Sequence, residues 1–164
     1  MRWMRGVVLF MAGAGFGIFA MQPSATPQQK MAGLRLNHFG IYVKDLDQSM
    51  NFYTKTLGFH EAFSLKDKDG KVTLAYLQMS RDTFLELAPA APDRPVGFSH
   101  AGIWVDDLNK TVGILRERGG KMDDPRSGAT KAVITNILDP DGVRLELLEY
   151  PPESLQGKAI DGWK

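Results

Sequence analysis

Leu36-Asn-His38-Phe-Gly40-Ile-Tyr42-Val-Lys-Asp45-Leu46 is answered, 62 residues later, by Phe98-Ser-His100-Ala-Gly102-Ile-Trp104-Val-Asp-Asp107-Leu108. His, Gly, Ile, Val, Asp and Leu recur in register, and Gly58 recurs as Gly120. A repeat of this length sets the architecture before any single element is assigned. Each copy is followed by a helix-like segment (47–57 and 108–118) and then by strand-like runs, so the unit reads β-α-β-β-β, twice.

The first strand of each unit alternates. Phe39, Ile41 and Val43 oppose His38, Gly40 and Tyr42; Ala101, Ile103 and Val105 oppose His100, Gly102 and Trp104. Period-two alternation predicts one face packed under a helix and one face turned away. Leu46, Met50, Tyr53 and Leu57 form an apolar stripe on the first helix, and Leu108, Val112 and Leu115 on the second. Asp45 and Asp107 recur as caps at the helix entrances, Asp47 is a further N-cap candidate, and Gly58 and Gly119-Gly120 are stops. Turns are expected at residues 66–70 and at Asp139-Pro-Asp-Gly142, with a Pro/Ala-rich link from Pro89 to Pro95. The expected class is α+β: paired βαβββ modules (34–90 and 96–150) forming a cup-shaped mixed sheet with helices outside.

Composition excludes several functions. The chain has 164 residues, 24% charged and 43% hydrophobic, with a formal charge of +1, which is ordinary for a globular domain. No clustered Lys/Arg supports nucleic-acid binding. Zero Cys removes disulfides, thiolate metal sites and a Cys nucleophile.

Residues 1–30 differ in kind. They hold Arg2, Arg5 and Lys30 but no acid, with an apolar run from Val7 to Ala20 and a polar, Pro-containing spacer. That order predicts a signal peptide or membrane anchor plus linker, hence an exported, periplasmic or N-terminally anchored protein. Membrane contact is expected only through that segment if it is not cleaved. A true start at Met21 or Met31 would instead give a cytoplasmic protein. Removing those three cations from 20 leaves 17 basic against 19 acidic residues, a charge of −2. Residues 151–164 read as an aperiodic tail whose Leu155, Ile160 and Trp163 are candidates to dock on the body or on a second subunit.

The last strand of unit one, Thr83-Phe-Leu85-Glu86-Leu87, turns Leu85 and Leu87 to the helix and Glu86 away. In Val143-Arg-Leu145-Glu146-Leu147, Val143, Leu145 and Leu147 face the helix and Glu146 opposes them. His38, Glu86, His100 and Glu146 thus share the non-helical side, one His and one Glu per repeat. Taken singly, a strand His or Glu is ordinary surface or filler. Repetition, with Gly40, Tyr42, Gly102 and Trp104 on the same side as a pocket floor, makes these four candidate donors to one divalent ion. An N2O2 set suits Zn, Ni, Co, Mn or Fe(II), and an octahedral ion retains open positions.

These stretches, with Asn51-Phe-Tyr53, Leu57-Gly-Phe59 and Asp139-Pro-Asp-Gly142, resemble the vicinal oxygen chelate superfamily over about residues 35–150, and glyoxalase I in the order His/Glu/His/Glu. The resemblance implies that His38, Glu86, His100 and Glu146 are metal ligands, and that the protein is a homodimer whose sites often combine modules of both subunits. It implies a metal-dependent lyase or isomerase acting on a small substrate with vicinal oxygens through a metal-stabilised enediolate, with Glu146 as first and Glu86 as second acid/base. Tyr42, Trp104, Arg144, Arg126 and Lys131 are candidate substrate contacts, Arg144 by its parity with Glu146 and Arg126 from a gating loop. Tyr42 and Ala90 stand where bacterial glyoxalase I has Arg and Asn toward glutathione, which separates the metal chemistry from the choice of substrate. An extradiol-type dioxygenase using His38, His100 and Glu146, and a non-catalytic antibiotic-binding protein, are the alternatives. His60, without a repeat partner, reads as a surface residue.

Overall fold

Alternating apolar and small residues over Arg35–Val43 make β1, and the repeat makes β5 (Gly97–Trp104). The structure, a computed structural model, describes residue 31 and residues 33–164; the leader expected over residues 1–30 lies outside the described residues. After β1 come α1 (Leu46–Asn51), β2 (His60–Lys66), β3 (Val72–Ser80) and β4 (Thr83–Pro89). After β5 come α2 (Leu108–Glu117), β6 (Arg126–Ser127), β7 (Val133–Leu138) and β8 (Arg144–Glu149), and α3 (Leu155–Gly162) ends the chain. The fold is α+β, two βαβββ modules in one mixed eight-stranded sheet of order β2-β3-β4-β1-β5-β8-β7-β6. β1 and β5 pair antiparallel at the centre, and each also pairs parallel with the last strand of its own module.

Each module buries its own apolar cluster under its helix. Leu46, Met50 and Tyr53 pack with Val43, Leu77, Leu85 and Leu87; Leu108, Val112 and Leu115 pack with Val105 and Leu147. Asp45 and Asp107 cap the helices, accepting from the backbone N–H of Gln48 and Lys110 at 2.9 Å, while Asp47 sits inside the first turn. Leu57 leaves the expected stripe and is 51% exposed. The cause is a π-helical turn, Phe52–Thr56, in which the Leu57 N–H reaches Phe52 O. Its wider turn rotates the following residue off the apolar face. Val143, expected toward the helix, is exposed just before β8.

Two further segments differ from the reading by periodicity. Arg126 and Ser127 form a short strand paired with Ile134 and Val133, not a free loop. The tail forms a helix on the face opposite α1 and α2. Ser154 caps α3, its Oγ accepting from Gly157 N, and Leu155 N–H bonds Thr130 O. Ile160 packs on Tyr76 and Phe84, and the Gln78 side chain donates to Ala159 O. Trp163 stays 39% exposed. Pro151, Pro152, Gly157 and Gly162 mask so short a helix from a reading by periodicity.

Candidate metal centre

The four central strands, β4-β1-β5-β8, carry Glu86, His38, His100 and Glu146 in that order. Register places them in two adjacent rows: Glu86 beside Gly40 beside His100, and His38 beside Gly102 beside Glu146. A glycine therefore separates each Glu from the His of the other module. The imidazoles lean across these gaps. A Cβ on Gly40 would stand 2.5 Å from His100 Cε1, and one on Gly102 would collide with the His38 ring.

His38 Nε2 and His100 Nε2 are 2.9 Å apart. Glu86 Oε2 lies 3.7 Å from both, and Glu146 Oε2 lies 3.6 Å from His38 and 3.9 Å from His100. Strands about 4.8 Å apart would hold β4 and β8 about 14 Å from each other in a flat sheet. Both carboxylates reach the same nitrogens, so the sheet curls toward this face.

Supporting groups hold each ring. Asn37 Oδ1 is 3.1 Å from His38 Nδ1 and also accepts from the Tyr150 hydroxyl, while Asn37 Nδ2 donates to Asp82 O. Ser99 Oγ is 3.0 Å from His100 Nδ1, and Arg144 Nη2 is 2.6 Å from the same atom and 2.9 Å from Ser99 Oγ. The residue before each histidine thus secures its Nδ1, a repeated feature that parity reasoning passed over. Tyr76 donates its hydroxyl to Glu86 Oε2 at 2.5 Å.

Burial sets the electrostatics. It lowers His38 to about 3, helped by the His100 and Arg144 charges, and His100 to about 4, helped by Arg144. Both rings are neutral near pH 7 and keep a nitrogen lone pair. Burial and then Glu86 push Glu146 up to about 7, against the pull of Arg144 and Arg126. Burial also raises Glu86, which the Tyr76 bond and Arg144 partly offset.

The donor chemistry fits a divalent cation. Bonds of about 2.0–2.2 Å imply donor–donor edges of about 3.0–3.5 Å, close to the nitrogen–nitrogen separation here. His38, Glu86 and His100 offer ligand atoms that all lie within 4.8 Å of one another, and Glu146 closes on both imidazoles. All four candidate donors come from one chain, so the approach needs no second subunit.

The other candidates separate. Arg144 stands at the centre, with its guanidinium on His100. Arg126 is exposed on the outermost strand, near enough to act on Glu146 by its charge. Tyr42 lies two residues beyond Gly40, under the Arg94 guanidinium at 5.6 Å. Trp104 is engaged in packing, stacked by Arg35 at 4.2 Å and touching Tyr150. Lys131 is an exposed turn residue with φ 64, its N–H bonding Gly128 O. His60 is exposed.

A curled sheet of paired βαβββ modules carries two imidazoles and two carboxylates on its inner face, a donor set that could hold a divalent cation. Residues 35–147 match the Glyoxalase/Bleomycin resistance protein/Dioxygenase superfamily, and the chain belongs to it. It is 36% identical over 128 residues to a probable chloroplastic lactoylglutathione lyase of Arabidopsis thaliana, covering 72% of this chain but 36% of that protein. The chain thus spans about a third of that relative. It is 34% identical over 127 residues to a probable lactoylglutathione lyase of Synechocystis sp., covering 70% of this chain and 94% of the other. Methylmalonyl-CoA epimerase from Mycobacterium tuberculosis superposes with a TM-score of 0.61 at 27% identity, over 74% of this chain and 89% of that one.

Proposed function

We propose that this protein is a divalent-metal-dependent lyase or isomerase of the glyoxalase I-like kind, moving a proton on a small substrate with adjacent oxygens. The observation that carries the reading is the approach of Glu86 and Glu146 to one imidazole pair, all within 4 Å. His38, His100, Glu86 and Glu146 would hold the cation. When bound, it supplies positive charge that stabilises the negative charge developing on a substrate oxygen.

The protein's own groups divide the remaining work. Glu86 is tied by the Tyr76 hydroxyl, so it is the less mobile carboxylate. Glu146 faces Asn136 across the strand pair, not a tyrosine, and has no such tie. The carboxylate without such a tie is the one able to leave the cation, take a proton and give it back, so Glu146 is the acid/base. Asn37 orients His38, and Ser99 orients His100. Tyr76, Phe84 and Ile160 close one side of the inner face with apolar surface, keeping water from the charged groups. Glutathione is not part of this proposal: Tyr42 is covered by Arg94, and the Ala90 N–H is spent on Val43 O.

The test is solvent deuterium exchange. Protein loaded with Ni, Co, Zn, Mn or Fe(II) is incubated in D2O with hemithioacetals of methylglyoxal and several thiols. Deuterium should enter at the carbon beside the carbonyl, and Glu146→Gln, reloaded to full metal content through its remaining donors, should abolish entry. Exchange that persists in Glu146→Gln, or that needs no metal, contradicts the proposal.

A further inference from the structure

Tyr76 and Asn136 occupy the same place in the two modules. Tyr76 pairs with Glu86 across β3–β4, and Asn136 pairs with Glu146 across β7–β8, each partner 10 residues on. Directly paired residues of antiparallel strands share a face, so Asn136 stands on the inner face beside Glu146. The tyrosine is satisfied, since its hydroxyl donates to Glu86. The asparagine is not: its Oδ1 is buried and has no hydrogen-bond partner.

Nothing local explains an asparagine there. Its neighbours on that side of β7 are Ile134 and Leu138. Asparagine is depleted in strands, and a buried acceptor without a donor costs stability. Such costs concentrate where a site is built for a ligand.

We propose that Asn136 is a substrate-positioning residue, whose amide oxygen accepts a hydrogen bond from a hydroxyl on the carbon next to the substrate's coordinated carbonyl or carboxyl group. The inference rests on the metal-site reading above and deepens it. It names the group that discriminates a hydroxylated substrate from its deoxy analogue at the Glu146 side. A site built to take a hydroxyl leaves a buried acceptor unpaired when the hydroxyl is missing, and therefore rejects that analogue.

Lactate and propionate differ by that one hydroxyl and serve as probes. Their affinities are measured calorimetrically on Co-loaded wild type and on Co-loaded Asn136→Leu, with Asn136→Ala read in the same way should the leucine variant not fold. In wild type, lactate should bind at least about tenfold more tightly than propionate, and the variant should lose most of that advantage. Its affinity for propionate should not fall, and its cobalt content should be unchanged. A lactate-to-propionate ratio that survives the substitution assigns the hydroxyl to the cation alone and overturns the role of Asn136, leaving the metal site intact. Lactate binding that is absent, or indifferent to chelation, in wild type overturns the metal-site reading and this inference with it.

Discussion

Arg144 Nη2 lies 2.6 Å from His100 Nδ1. A guanidinium only donates, so His100 accepts at Nδ1 and carries its proton on Nε2. From there the polarity runs one way: His100 Nε2–H faces His38 Nε2 at 2.9 Å, and His38 Nδ1–H faces Asn37 Oδ1 at 3.1 Å. His38 is thus set as a ligand through Nε2, whereas His100 is not until its proton moves to Nδ1. Ser99 Oγ, 3.0 Å from that nitrogen, is the acceptor available to it. Cation binding at His100 therefore excludes the Arg144 contact, and the same guanidinium also repels a cation by its charge. Arg144→Met should raise metal affinity about tenfold in a titration against a chromophoric chelator. An unchanged or lower affinity would show that Arg144 does not compete.

The two glycines between the donors carry a second expectation. A methyl group on Gly102 meets the His38 ring, and one on Gly40 meets the His100 ring. Gly102→Ala should cost about 1–3 kcal/mol of stability by overpacking and should displace His38 from the centre. Metal analysis should find the purified variant depleted, with its secondary structure retained by circular dichroism. Full metal occupancy would mean that the ring has room to move.

Asn37 is a hub, serving His38 Nδ1, the Tyr150 hydroxyl and Asp82 O. Asn37→Ala strands His38 Nδ1 and the Tyr150 hydroxyl, at about 1–3 kcal/mol for each one left unsatisfied. It also frees the His38 tautomer, and losing such an outer partner typically costs about 10–100-fold in metal affinity. Thermal melting and metal titration should both register the change. A variant that melts lower but binds metal as tightly as wild type would restrict Asn37 to structure.

Acid affects the chelated protein through opposing groups. His38 and His100 sit below their unfolded value of 6.5, at about 3 and about 4, so the unfolded chain binds more protons there. Their contribution is present above 6.5 and is lost as pH falls toward 4. Glu146 sits above its unfolded value of 4.5, at about 7, so its contribution is present at low pH and is lost as pH rises through 7. The two windows overlap from 4.5 to 6.5, so the stability of chelated protein should fall on either side of that interval, below it through the histidines and above it through Glu146. A bound cation replaces the Glu146 proton, so the gap in melting temperature between loaded and chelated protein should widen from about pH 5 to pH 7. A constant gap would mean that Glu146 releases no proton on binding.

Strand parity is what puts His38, Glu86, His100 and Glu146 on one face of the sheet. A side chain's face follows from counting by two along Leu36–Val43 and Leu145–Leu148, and duplication supplied an internal control. Long-range partners followed no such rule. Asn37 and Ser99 stand one residue before each histidine, but their bonds depend on how the β1 register shifts between Leu36 and His38 and on where Tyr150 and Arg144 arrive. Helix periodicity failed at Leu57, because a single π turn breaks the 3.6-residue count. It was silent on α3, held by one cap and by Ile160 on Tyr76 and Phe84.

X-ray absorption spectroscopy of the protein loaded with Ni or Co, together with the metal-to-chain ratio, tests the central claim most directly. One cation per chain with two imidazole and two carboxylate donors is expected, and one imidazole should vanish in each of His38→Ala and His100→Ala. Fewer than two imidazoles in wild type, or a spectrum untouched by either substitution, would contradict a site shared by the two modules.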